Sequence, residues 1–225
     1  MPKMMHDTNF GLPQIPMSQK DVYKLGILGG TFNPVHFGHL SIAEAAIQQL
    51  ALNSLVFIPA GNPNFKQDMP IASGQDRLAM VKLALAEHPC MSVSDIEIRR
   101  SGITYTVDTL KELQKSYPLS VEFYFIGGAD ALSSVLQWKE AERIADLAHL
   151  VLAQRQGHDA QQVQHLIQTH LPHADVTRIL VPEIAVSSSE IRMRCMMHES
   201  IQAMTPDAVV SYIRQHRLYQ RHEAK

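Results

Sequence analysis

The sequence predicts an α/β fold with a doubly wound parallel sheet. Short apolar runs alternate with segments of helical periodicity, and the first run ends in a glycine pair followed at once by a helix. With 225 residues, 45% of them hydrophobic, the chain can bury one sizeable core, so a single domain is expected.

Leu25 to Leu28 forms the first apolar run and ends at Gly29 and Gly30, after which Leu40, Ala43, Ile47 and Leu50 recur at helical spacing. Leu55 to Ile58 reads as a second buried strand, and residues 59–74 as a loop punctuated by Pro, Gly and Asn. A helix capped by Ser73 is predicted from Gln75 to Glu87. Met91 to Ile98 alternates like a strand, Val107 to Lys115 like a helix, Val121 to Ile126 like a buried strand and Ala129 to Leu136 like a helix. Leu150 to Ala153 and Val176 to Val181 are further strand candidates; the remainder reads as helical, with starts near Ser188 and Pro206. Residues 1–22, rich in Pro, Met, Gln and Ser without periodicity, read as a flexible extension, residues 23–220 as the domain and residues 221–225 as a tail. In such sheets ligands gather at the carboxyl ends of strands, so the loops after Leu28, Ile58, Ile126 and Val181 are expected around one crevice.

Charge narrows the function. Twenty Lys plus Arg against 22 Asp plus Glu leave a net charge of -2, too little positive field to hold nucleic acid by counterion release. The longest apolar region, from Ile42 to Ala60, is interrupted by Glu44, Gln48, Gln49 and Asn53, short of the roughly 20 apolar residues of a membrane span. The first residues carry Asp7 and lack the apolar stretch of a secretory signal. Cys90 and Cys195 fit neither a metal spacing nor a disulfide framework; they are expected to be free, buried thiols in a reducing, cytoplasmic compartment.

The segment GGTFNPVHFGHL, Gly29 to Leu40, lets backbone N–H groups approach a phosphate after a buried strand. It has neither the GK[ST] of the usual P-loop nor the GxGxxG of dinucleotide sites. His36 and His39, three apart at a helix start, can both face an anion there. The competing readings are a plain glycine turn and an HxxH zinc pair; zinc calls for a further ligand that the other loops do not clearly supply, so no metal site is assigned. Ser187, Ser188 and Ser189 precede a helix carrying Arg192 one turn in. One serine suffices as a cap, and the whole set forms a second candidate anion site.

Together these two segments resemble the [TH]xGH and ISS[ST]xxR motifs of the nucleotidyltransferase superfamily. From about Lys24 to Tyr219 the chain is similar to bacterial nicotinate-nucleotide adenylyltransferases, supported by TYTVDTL at Thr104, FIGGAD at Phe125, Trp138, AHLVLAQRQG at Ala148 and VVSYIRQHRLY near the end. The resemblance implies a Rossmann-like nucleotidyltransferase fold with a small helical C-terminal part. It also implies a reaction in NAD synthesis: nicotinate mononucleotide and ATP give deamido-NAD and pyrophosphate, without a covalent enzyme intermediate. On it, His36, His39 and Arg192 act on the ATP phosphates, with Gly29, Gly30, Thr31, Phe32, Ser188 and Ser189 alongside. Gly127 and Asp130 meet the adenosine ribose, where capping is the plain alternative for Asp130. Lys66, Thr106, Trp138, Lys139 through its backbone N–H, and Arg155 serve the mononucleotide, where a core position is the plain alternative for Trp138. Mg2+ is expected mainly on ATP oxygens and water. The rivals are another superfamily adenylyltransferase, with a nicotinamide mononucleotide or phosphopantetheine acceptor, and a non-catalytic nucleotide-binding regulator; homo-oligomerisation stays open. Two departures from the family pattern stand out: Asn33 where TFDP is usual, and Phe65 in place of the histidine of PPHK.

Overall fold

A computed structural model describes residues 11–15, 22–62, 71–118, 120–155 and 160–220. Its sheet has six strands: β1 (Tyr23–Gly30), β2 (Ser54–Pro59), β3 (Met91–Val93), β4 (Val121–Gly128), β5 (His149–Arg155) and β6 (Val176–Val181). The order is β3-β2-β1-β4-β5-β6, and all the pairings are parallel. The chain therefore winds outward from β1 to one edge and from β4 to the other, and the strand order reverses between them.

Side chains of the central strands alternate between two apolar layers, as the period of two requires. Leu25 and Ile27 of β1, Val56 and Ile58 of β2 and Phe123 and Phe125 of β4 face one layer. Leu28, Leu55, Phe57, Tyr124 and Ile126 face the other. The first layer is covered by α3 (Thr106–Ser116), α5 (Ala141–Leu147) and α6 (Gln161–His170), through Leu110, Ile144 and Ile167 among others. The second is covered by α1 (Phe37–Leu50), α2 (Gly74–Ala84), α7 (Ser188–Met196) and α8 (Asp207–Gln215), through Leu40, Met80, Ile191 and Val209 among others. The two layers bury these side chains of the central strands, and that explains why those strands read as apolar runs rather than as half-polar alternation. No helix among the described residues is long and apolar enough to cross a membrane.

The strands other than β3, the Ser73 cap and the helix starts near Ser188 and Pro206 fall where the sequence puts them; Ser73 Oγ accepts the Asp76 N–H at 3.1 Å. Some expectations are corrected. The strand expected over Met91 to Ile98 stops at Val93, because Ser94 Oγ accepts the Ile96 N–H at 3.3 Å and turns the backbone out of the ladder. The helix expected over Ala129 to Leu136 is only α4 (Ala129–Leu132), followed by a 3-10 turn at Val135–Gln137. There Ser134 Oγ donates to the Ala131 carbonyl at 3.0 Å, a local bond that competes with the helical ladder. Both cysteines are free thiols, but Cys90 is exposed in the turn before β3, and Cys195 is half-buried, its thiol pushed up by burial. Residues 11–15 are not wholly outside the core: Leu12 is buried, and the Pro13 carbonyl accepts the Tyr117 hydroxyl at 2.9 Å.

Candidate active site

Gly29 and Gly30 end β1 on the carboxyl edge of the sheet, next to the point where the strand order reverses. The loop that follows turns at Phe32, whose φ of 48° is left-handed and whose ring is buried. It then enters α1 with His36 as the N-cap residue.

Four carbonyls of this loop are held from outside. Thr31 C=O accepts from Arg77 Nη1, Asn33 C=O from Arg192 Nη1, Pro34 C=O from Ser188 Oγ and Val35 C=O from Thr205 Oγ1, each at 2.8 Å. Within a trans peptide the C=O and the next N–H point to opposite sides. Fixing the Thr31 and Pro34 carbonyls therefore turns the Phe32 and Val35 N–H groups away from those side chains. The Asn33 side chain, 5% exposed, adds an anchor: Oδ1 accepts both the Ala72 N–H at 3.0 Å and the Tyr219 hydroxyl at 2.8 Å. Both contacts fall on an oxygen, which an aspartate would also present. The departure from TFDP thus changes charge and preserves the architecture.

The two histidines share one corner. Their rings stack at 3.8 Å between centroids and 28° between planes, and Phe32 meets the His39 ring edge-on at 5.0 Å. The His36 N–H donates to His39 Nδ1 at 3.2 Å. An accepting Nδ1 places the His39 proton on Nε2, so the donor that His39 presents to an anion is Nε2–H. His36 is buried and His39 half-buried. Gly38 permits the stack: a Cβ there would lie 3.0 Å from His36 Cε1.

The serine run divides its work. Ser187 caps α7 by accepting the Glu190 N–H at 3.1 Å, and Ser188 holds Pro34 C=O. Ser189 Oγ accepts from Arg192 Nη2 at 3.1 Å. Arg192, 3% exposed, thus reaches the loop after β1 as a buried brace from the α7 side.

A second group gathers where β4 meets α3. Phe125 would lie 3.7 Å from a Cβ on Gly29, and its ring meets Trp138 edge-on at 5.9 Å. Half-buried Trp138 donates its indole N–H to Ser134 Oγ at 3.2 Å. Lys139 Nζ is 3.0 Å from Asp108 Oδ2 and lies over the Tyr105 ring at 4.7 Å; the Asp108 hydrogen bond raises its pKa. Thr106 opens α3 beside Tyr105. Thr106, Trp138 and Lys139 are therefore brought into one neighbourhood, joined to the loop after β1 through Phe125. Gly127 lies one residue before the end of β4 and Asp130 lies in α4; the side chains of Asp130 and Arg155, and all of Lys66 and Phe65, lie outside the described residues.

Three residues of this architecture escaped the sequence reading. Arg77, 1% exposed, follows the Ser73 cap and spends its guanidinium on backbone carbonyls; its signal was a charged residue on the same helical face as buried Met80, Val81 and Ala84. Tyr219 and Thr205 act on the loop from far along the chain and carry no local pattern.

Fold and site thus describe a doubly wound α/β protein with a histidine-bearing helix start just after its first strand. The sequence matches the cytidylyltransferase-like family over residues 27–194. It is 41% identical over 196 residues to the probable nicotinate-nucleotide adenylyltransferase of Clavibacter michiganensis subsp. michiganensis, covering 87% of this chain and 94% of that one. With the Synechococcus protein of the same description it shares 45% over 197 residues, 87% of this chain and 96% of the relative. Among solved structures, the nicotinic acid mononucleotide adenylyltransferase of Plasmodium falciparum complexed with NaAD superposes with a TM-score of 0.71 at 19% identity, covering 88% of this chain and 97% of that one. The chain belongs to the nicotinate-nucleotide adenylyltransferases, nucleotidyltransferase enzymes of the cytidylyltransferase-like family.

Proposed function

We propose that this chain transfers the AMP moiety of ATP to the phosphate of nicotinate mononucleotide, releasing pyrophosphate and forming deamido-NAD in NAD biosynthesis. The observation that carries the reading is the braced loop ending in His36 and His39, with the His39 proton set on Nε2 by its backbone contact. The mononucleotide phosphate attacks the α-phosphorus of ATP in line, and the chain contributes positioning and charge stabilisation rather than a nucleophile. His39 Nε2–H, His36 and the backbone of Gly29 to Phe32 face the ATP phosphates. The α7 start at Ser188 and Ser189 receives the triphosphate end, and Arg192 adds positive charge from behind the loop. Gly127 and Asp130 serve the adenosine ribose. Trp138, Thr106 and the Lys139 N–H serve the nicotinate ring, and Lys66 and Arg155 the mononucleotide.

Among the described residues no group of three or more His, Cys, Asp or Glu side chains could hold a metal ion. A magnesium ion carried on the phosphate oxygens of ATP would supply charge neutralisation there. Pyrophosphate release measured with ATP and a panel of nicotinate mononucleotide, nicotinamide mononucleotide and phosphopantetheine tests the reading. Preferred use of nicotinate mononucleotide is expected. Release only with another acceptor, or with none, overturns it.

A further inference from the structure

The two reactants of an adenylyl transfer must be held at a fixed separation, and one buried side chain ties together the backbones on either side. Arg77 Nη1 donates to Thr31 C=O in the loop after β1 at 2.8 Å. Its Nη2 donates to Ala60 C=O at 2.6 Å and to Gly61 C=O at 3.4 Å, in the loop after β2. Its Nε donates to Ala72 C=O at 3.2 Å, just before α2. A guanidinium is planar and presents its donors in a rigid fork, so carbonyls that share it are fixed relative to one another, not merely neutralised. Lysine, a point charge on a flexible stem, cannot do this.

The Gly61 peptide is held from its other side as well. Its N–H donates to the Glu97 carboxylate, which also accepts the Thr104 and Thr109 hydroxyls, Thr109 Oγ1 at 2.8 Å. The approach is so close that a Cβ on Gly61 would lie 2.0 Å from the Glu97 carbonyl oxygen. Gly61 is therefore clamped between Arg77 and Glu97, and Glu97 is in turn tied to α3, the helix that opens at Thr106.

We propose that Arg77, acting through Gly61 with Glu97, is a positioning residue that sets the spacing between the ATP-side loop at Thr31 and the acceptor-side backbone at Ala60 and Gly61. The proposal rests on the adenylyl-transfer reading above. Each substrate binds mainly to its own side, so loosening the fork leaves each single affinity nearly intact and lowers the rate of the step that needs both.

Arg77→Lys keeps the charge and removes the fork, and Gly61→Ala displaces the same backbone while leaving Arg77 in place. Circular dichroism melts establish folding, calorimetric titration gives Kd for ATP alone and for nicotinate mononucleotide alone, and pyrophosphate release gives kcat. For folded variants, kcat is expected to fall about a hundredfold, as a misplacement on the order of 1 Å costs, while both Kd values stay within about threefold. Unchanged kcat in a folded variant, or Kd values that weaken in parallel with kcat, overturns the proposal; should Arg77→Lys not fold, Gly61→Ala decides. The unsubstituted chain runs alongside with the acceptor panel. If it prefers another acceptor, the substrate reading fails while the spacing test proceeds with that acceptor, and inactivity with every acceptor overturns both.

Discussion

At the scale of single residues, His39 is the side chain whose chemistry the structure specifies most closely. Its Nδ1 is taken by the His36 N–H, and its stacking on His36 and edge contact with Phe32 fix the ring plane. A donor held in this way costs no reorganisation when charge develops on the phosphates. Replacing His39 by alanine is expected to lower kcat about a hundredfold to a thousandfold with the melting profile retained. Near-normal turnover in the folded variant would remove His39 from the site. On the side proposed to take the acceptor, Thr106 stands at the first turn of α3, beside Tyr105 and Asp108, which Lys139 contacts. If its hydroxyl donates to the nicotinate carboxylate, the amide of nicotinamide mononucleotide leaves that donor unpaired, at a cost of about 1–3 kcal/mol. The unsubstituted enzyme should then prefer the acid by about tenfold or more in kcat/KM, and Thr106→Val should narrow the gap. An unchanged ratio in Thr106→Val would assign selectivity elsewhere.

At the scale of elements, the connection from β3 to α3 shows what periodicity can and cannot reveal. The alternation from Met91 to Ile98 reads as one strand, yet only Met91–Val93 pairs with β2, because local side-chain bonding at Ser94 and the Glu97 contact with Gly61 redirect the rest. The helix after β4 is shortened by the same kind of local serine bond, whereas the Ser73 cap and the start at Ser188 were legible because capping is itself a local pattern. Glu97 gives this connection a pH signature. Burial raises its pKa, outweighing the hydrogen bonds from Thr109, Thr104 and Gly61 and the charge of Arg100. A carboxyl with a raised folded-state pKa stabilises the fold fully below its ordinary value, and that contribution is lost as pH rises through the raised value. Glu97→Gln cannot titrate. The stability of the unsubstituted chain relative to Glu97→Gln is therefore expected to fall as pH rises from the ordinary carboxylate range toward neutrality, measured by urea unfolding at each pH. A difference independent of pH would show that burial does not govern this carboxyl.

At the scale of the whole molecule, the fold was readable because strand and helix patterns are local, and the glycine loop with its histidines because all its parts lie within twelve residues, Gly29 to Leu40. The bracing of that loop was not. Its supports come from Arg77, Arg192, Thr205 and Tyr219, and the Tyr219 contact with Asn33 spans 186 positions. No periodicity records such a meeting; only the doubly wound topology, which returns α7 and α8 to the face of the sheet that α1 also covers, produces it. The last described turn is consequently part of the architecture of the loop after β1. Tyr219 is 6% exposed, and its hydroxyl is held well above the usual tyrosine range, chiefly by burial, so it remains a donor to Asn33 Oδ1. Tyr219→Phe keeps the ring and removes one buried hydrogen bond, a loss of about 1 kcal/mol in stability. Ending the chain at Leu218 removes the ring as well, and with it a further contribution of about 1.5–3 kcal/mol from buried apolar surface. Both losses are read from denaturant unfolding. If loop support is the function of the hydroxyl, Tyr219→Phe should also raise the KM for ATP while leaving that for nicotinate mononucleotide nearly unchanged, because Asn33 lies in the loop proposed to face ATP. Equal effects on both KM values, or none, would confine Tyr219 to packing.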